Sequence, residues 1–277
     1  MKADITAIIP TFNEETNIQE CIRSIKNYVK EIIIMDNYST DTTKEIAEKM
    51  GAIVYQSHSS YKERLNNGIN LKNIKTKWIL NIDADERLTE KSGKEIVKLC
   101  TKYESNNTIN GIVLHYQFVF MGKILKHGFK PYKMRLFKKG TAYMENKELD
   151  EHFVLKTGKC VYCKSCLIHH DYKGMDSFII KLNNYSKRVA KEYFDLKAGR
   201  SVLPMKGLSA VSRFRRHIKY KFYYKMPISI RSHLYYIYYY YLNFGFLDGE
   251  KGKLFLFMYI YWYKYLSDAY ILEGEMN

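Results

Sequence analysis

Short apolar runs alternate with helical patterns along the first ninety residues, and that alternation limits the fold more than any other feature. Ile5 to Ile9 forms the first run, and Ile18, Cys21, Ile22 and Ile25 follow at 3.6-residue spacing. Ile32 to Met35 forms the second, before a helical pattern holding Ile46 and Ala47 that Ser39 or Thr40 can cap. Ala52 to Tyr55 is a third strand, Leu65 to Leu71 falls on a third helix, and Ile79 to Ile82 is a fourth strand. Strands alternating with helices require right-handed crossovers and a mostly parallel sheet. Three of these strands end in polar clusters, at Pro10 to Glu14, at Asp36 and at Asp83/Asp85. All three then lie on the one sheet edge where open α/β sheets bind their ligands.

The sharpest cluster is Trp78-Ile79-Leu80-Asn81-Ile82-Asp83-Ala84-Asp85-Glu86, an apolar segment that stops in two carboxylates one residue apart. Within a strand, residues i and i+2 point the same way. Oxygen ligands of this kind suit Mg²⁺ or Mn²⁺, which binds one or two carboxylates together with substrate phosphates. Alone, the same residues also describe a solvated acidic turn.

Three stretches, IIPTFNEETNI, IIIMDNYSTDTT and WILNIDADERLT, resemble in order and spacing the signature segments of glycosyltransferase family 2. Further matches follow in Met121-Gly122, Lys126-His127-Gly128, Met134 to Lys138, Asp150-Glu151-His152, Leu167 to Tyr172, and Gly245 to Gly249 with Gly252. These are similar to the branch that builds lipopolysaccharide cores. The resemblance implies a GT-A fold, Rossmann-like with a mostly parallel central sheet, and an inverting transfer from a nucleotide sugar. It assigns the donor's base and ribose to the loop holding Pro10, Thr11, Asn13 and Glu14, and to Asp36. A carboxylate there can accept from a pyrimidine imide N–H, which favours UDP. Read without the resemblance, Asp36 and Ser39 simply shape a turn.

By the same resemblance, Asp83, Ala84 and Asp85 meet the donor, and Asp85, Asp83 and His169 hold a Mg²⁺ or Mn²⁺ cofactor. His170 is then an exposed neighbour of His169. Asn66 falls where the family has an Asn near the base. Leu65 fills a slot where an Arg is common, and Arg64 stands one residue early. Arg135 either holds acceptor or diphosphate or serves as a salt-bridge partner. Inverting transfer to a hydroxyl needs a general base within hydrogen-bond reach of it. Glu151 is the candidate, with Asp150 as the alternative. Cys160, Cys163, Cys166 and His169, each three apart, also suggest a zinc site. Their spacing lacks the long segment that normally separates ligand pairs, and in a strand they would face opposite sides.

The chain has 277 residues and a formal net charge of +16. The length suits one large domain, 1–225, and an appendage, 226–277. An odd number of cysteines, 5 in all, and a start at Met1-Lys2-Ala3-Asp4 that runs into a strand lead us to expect a reducing, cytoplasmic setting. Arg213, Arg215, Arg216, Lys219, Lys221 and Lys225 form a basic cluster interleaved with aromatics. Two tyrosine-rich segments follow, Leu234 to Phe246 and Leu254 to Leu266, each shorter than the ~20 residues a spanning helix needs. With basic flanks they suit an in-plane anchor on an anionic leaflet. A helical cap on the catalytic domain, or a homodimer contact, fits the same pattern. Basic, aromatic-rich chains also bind single-stranded nucleic acid. The chain carries no RNA-recognition, KH or zinc-finger signature, which argues against nucleic acid as a partner. The expectation is therefore a family 2 enzyme on the inner membrane's cytoplasmic face, with a lipid-linked saccharide acceptor from lipopolysaccharide core, capsule or other surface-glycan assembly. A catalytically inactive scaffold of the same fold is the alternative.

Overall fold

The computed structural model describes residues 2–145, 151–171, 173–200 and 205–276. Its first half alternates as the sequence predicts. Strands β1 (Ile5–Thr11), β2 (Glu31–Asp36), β3 (Ile53–Gln56) and β4 (Trp78–Asn81) are linked by helices α1 (Glu15–Ile25), α2 (Thr43–Lys49) and α3 (Tyr61–Ile69). They lie parallel in the order β3-β2-β1-β4. Residues of β1 are buried on both faces, as a strand between two helical layers must be. The register pairs Thr11 with Asp36, and Asp36 with Gln56, so the polar C-termini of β1, β2 and β3 reach the edge together.

Helix α2 starts at Thr43, two residues later than a cap at Thr40 would place it. Ser39 is diverted: its hydroxyl and its amide both donate to Asp36. Asp41 accepts from the Thr43 N–H instead, at 3.0 Å.

Beyond β4 the sheet becomes mixed. A short strand β5 (Glu86–Leu88) and helix α4 (Glu90–Lys102) precede β6 (Ile109–Phe120), β7 (Lys123–Ile124) and β8 (Tyr132–Lys138). The strands β9 (Ala142–Met144) and β10 (Phe153–Leu155) form a separate hairpin, and β11 (Lys159–His169) returns to the main sheet. The order continues β4-β8-β6-β11-β5, with β11 antiparallel to β5 and His169 opposite Glu86. That register carries His169 to the acidic turn.

The rest is helical: α5 (Met175–Lys197), α6 (Ala210–Lys221), α7 (Ile228–Ile237), α8 (Gly249–Leu256) and α9 (Tyr263–Met276). Helix α7 runs on into a π-helical turn at Tyr238–Leu242, and α8 into another at Phe257–Trp262. These helices do not stand apart. Tyr239, Phe255, Ile260 and Tyr263 join the same buried core as Ile9, Leu80 and Phe120. Several of the predicted surface bases are spent inside the fold. Arg216 is buried on Glu145, with hydrogen bonds of 2.8 and 2.6 Å, and Lys219 pairs with Glu192 at 3.2 Å.

Candidate active site

Strand β4 ends at Asn81, and Asp83 and Asp85 leave from the turn that follows. The same-side geometry expected of i and i+2 in a strand therefore does not hold, and the two carboxylates diverge. Asp83 accepts from the Tyr61 hydroxyl at 2.7 Å and from Arg135 at 2.6 Å. Asp85 turns instead toward His169, whose Nε2 lies 3.6 Å from its Oδ2. With Asp171 these form a group whose potential ligand atoms all lie within 4.8 Å of one another, and Asp83 is not part of it. The geometry separates the two aspartates expected to share one cation: Asp83 is bonded to an arginine, and Asp85 faces a histidine.

Arg135 explains the divergence. It is buried and reaches Asn81 at 2.7 Å, Asp83, Glu86 and the Tyr116 hydroxyl. Of its two sequence readings, the structure gives the salt bridge. Burial pushes the Glu86 carboxyl up to about 8, with Asp83 and Asp85 pushing the same way against Arg135. Burial would also raise Asp83, but Arg135 and Tyr61 hold it below the usual carboxylate range. One cation between two carboxylates thus fixes the base of the turn.

The residues around Asp85 fit a divalent ion. Asp85 Oδ1 and His169 Nδ1 are both buried and have no hydrogen-bond partner among the described residues. A buried polar atom without a partner costs roughly 1–3 kcal/mol, so two in one group suggest a ligand that would satisfy them. Two carboxylates and an imidazole are suitable ligands for Mn²⁺ or Mg²⁺. Asp171 lies two residues past His169 in a stretch the resemblance already covered. Its position beside Asp85 could not be read without the β5–β11 register. His170 is held differently, its N–H donating to the Asp85 carbonyl at 2.7 Å.

On the donor side, Thr11 donates to Asp36 at 2.7 Å. With Ser39 and with Gln56 at 3.1 Å, this gives Asp36 four donors. Burial opposes its charge, but those donors hold its pKa below the usual range. Pro10 pairs with Met35, one residue before the β1–β2 register ends at Thr11 and Asp36. Asn13, with a positive φ of 53°, accepts from Thr40, and Glu14 faces Lys173 across 3.4 Å. Arg64 is buried close to Asp36, with its Nε unpartnered, and so occupies the neighbourhood that Leu65 leaves without an arginine. Asn66 is elsewhere: its side-chain amide clamps the Met144 backbone, accepting at 3.0 Å and donating at 3.4 Å. Ala84 is buried in the turn between the two aspartates.

On the acceptor side, Asp150 lies outside the described residues. Glu151 is partly buried, 3.4 Å from Arg188 of α5. The same helix carries Lys181, paired with Asp171, and Tyr185, whose ring lies between the two cations at 5.3 and 5.9 Å. Lys181 and Arg188 are two helical turns apart, about 10 Å. One face of α5 therefore links the metal-type group to the candidate base. The β11 thiols are dispersed, Cys160 against Met134 and Cys166 against Gln117, while Cys163 is buried.

A parallel half-sheet with a polar crevice, extended by mixed strands that bring an Asp–His–Asp group to its edge, defines a glycosyltransferase of the GT-A type. The model of the family described as "Glycosyl transferase family 2" matches residues 6–164, and the chain belongs to that family. It is 29% identical over 212 residues to an uncharacterized glycosyltransferase of Rickettsia conorii, covering 68% of this chain and 70% of that protein. It is 30% identical over 102 residues to the glycosyltransferase SunS of Bacillus subtilis, covering 36% and 24%. Among solved structures it aligns with glucosyl-3-phosphoglycerate synthase from Mycobacterium tuberculosis, in complex with Mn²⁺, UDP and glucosyl-3-phosphoglycerate. That match has a TM-score of 0.35 and 23% identity, and it spans 41% of this chain and 44% of that one.

Proposed function

We propose that the protein transfers a hexose from a UDP-sugar, with inversion, to a hydroxyl of a lipid-linked saccharide. The work belongs to surface-glycan assembly, such as a lipopolysaccharide core or capsule, on the cytoplasmic face of the inner membrane. The observation that carries the reading is the Asp85–His169–Asp171 group, with its two unpartnered buried atoms, at the ligand edge of the sheet. Mg²⁺ or Mn²⁺ bound by these residues would supply Lewis-acid charge to the diphosphate leaving group. Asp36, Thr11 and Arg64 line the crevice for the uridine, and a base reaching Asp36 would replace one of its present donors. Arg135 holds the turn so that Asp85 is presented and Asp83 is not free to swing. Glu151 takes the proton of the attacking hydroxyl, and Arg188 orients it. Residues 1–225 form the catalytic domain, and 226–277 form a helical element that completes its core.

The test is transfer from UDP-hexoses by wild type, Glu151→Gln, Asp150→Asn and Asp85→Ala. Glu151→Gln is expected to lose transfer by about a hundredfold or more while keeping donor binding. Full activity in Glu151→Gln with loss in Asp150→Asn would move the base by one residue. Retained donor binding without transfer in the wild type would favour an inactive scaffold.

A further inference from the structure

The outer face of the C-terminal helices is apolar in a continuous pattern. On α7 and its π turn, Leu234, Ile237, Tyr241 and Leu242 are exposed, Leu242 to 67%. On α8 and its continuation, Phe257 and Tyr265 are exposed at matching helical positions. The two stripes adjoin. His233 packs on Tyr261 with ring centroids 4.7 Å apart and a 3.1 Å hydrogen bond, and Phe257 packs on the same ring at 5.4 Å. Folding of the chain alone does not cover this face.

The opposite side of the same helices is fully used. Tyr239 sits edge-on to Phe129 at 5.1 Å, and Tyr259 contacts Phe118 at 5.6 Å. Phe118 in turn packs against His169 at 5.2 Å. A single helix layer, roughly 10 Å thick, therefore separates the exposed face from the aromatic floor beside the Asp85 group.

Charge identifies what covers the face. Between Asp195 and Asp248 the chain contains no Asp or Glu, while Lys and Arg recur as far as Arg231. Arg216, Lys219 and Arg231 are neutralised by Glu145, Glu192 and Asp268. Arg213, Lys221 and Lys225 are exposed and have no carboxylate partner among the described residues. On the α6–α7 side the chain leading to this tyrosine-rich apolar face is basic and free of acids, while Glu250 and Glu273 are exposed on the α8 side. A net basic border of this kind suits an anionic bilayer surface, where tyrosine rings sit at headgroup level and each basic residue adds about 1 kcal/mol. Among the described residues no helix is long and apolar enough to cross a membrane, so contact is in the plane.

We infer that the paired stripes of α7 and α8 are the membrane-docking face, and that they hold the active site one helix layer above an anionic bilayer. This deepens the reading of a lipid-linked acceptor and rests on it. Such an acceptor would keep its lipid in the leaflet while its saccharide reaches the cleft around the edge of this helix layer.

The experiment is flotation of the full chain with vesicles of equimolar phosphatidylcholine and phosphatidylglycerol, and with phosphatidylcholine alone. Wild type is expected to float with the anionic vesicles and to be released by high salt. The double variant Leu234→Glu, Ile237→Glu is expected to bind about tenfold or more weakly, since it removes two inserted side chains. Lys221→Glu with Lys225→Glu tests the charge separately. Thermal stabilisation by UDP and Mn²⁺, measured on every variant, reports fold and donor site independently of lipid. Absence of wild-type flotation, or equal flotation of the double variant, overturns the inference even if UDP binding is intact. A concentration-dependent dimer that the double variant breaks, without vesicle binding, would assign the face to a second copy of this chain. Vesicle binding without any UDP response would leave the docking face and overturn the transferase reading.

Discussion

Asp36 accepts four hydrogen bonds while fully buried, and its carboxylate is held below its ordinary pKa of 3.8. A carboxylate with a depressed folded pKa contributes stability above its unfolded pKa and loses it as the pH falls through the folded value. The contribution of Asp36 is therefore complete above about pH 4 and declines below it. Asp36→Asn should be less stable than wild type at pH 7 by about 1.5–3 kcal/mol, the worth of hydrogen bonds to a charged group. The difference should shrink as the pH drops below 4, which denaturant titrations across pH 3 to 7 would show. Arg135 works on the same scale. By bonding Asp83 and Glu86 at once, it decides which of two near-identical aspartates is free, and no property of D-x-D itself reveals that choice.

At the scale of elements, the parallel half of the sheet was legible because β1, β2 and β4 are short, almost wholly buried apolar runs and helix α1 carries apolar residues at 3.6-residue spacing. The position of His169 was legible only through resemblance, since the pairing of β11 with β5 depends on strands that carry no periodic mark. The direction of Asp83 was not legible, because β4 stops two residues before it. The three β11 cysteines looked like a ligand set only while strand geometry was ignored. The Gly245–Gly252 element is a latch whose purpose the sequence did not disclose. Asp248 accepts from the backbone N–H groups of Lys126 and His127, at 3.1 and 2.8 Å, and its carbonyl meets Lys123. A Cβ on Gly252 would come within 2.3 Å of the Asp248 Cβ, and one on Gly245 within 2.8 Å of the Tyr239 carbonyl. Asp248→Ala leaves two buried-side donors unmet and should cost about 1–3 kcal/mol, read as a lower midpoint in thermal unfolding. Gly252→Ala should be no better tolerated, because the clash is with the latch itself.

For the whole molecule, one core runs from the parallel strands into the C-terminal helices, across the boundary at residue 225 expected from the sequence. The helices close the aromatic side of the cleft with one face and leave an apolar, base-flanked face outward with the other. Of the sequence readings of that segment, the cap is what the packing shows, and the outward face is where the proposed surface contact would fall. On the reading proposed above, a divalent ion held by Asp85, His169 and Asp171 brings a uridine diphosphate sugar to the edge of the sheet. The most direct test of that reading is thermal unfolding of wild type and Asp85→Ala with UDP, with and without Mn²⁺. A ligand at a hundred times its Kd stabilises by about 2.7 kcal/mol. Wild type is expected to show a UDP shift that Mn²⁺ enlarges, and Asp85→Ala to stay folded but lose the Mn²⁺-dependent part. No UDP shift in folded wild type, or a Mn²⁺-dependent shift that survives the loss of Asp85, would contradict that reading.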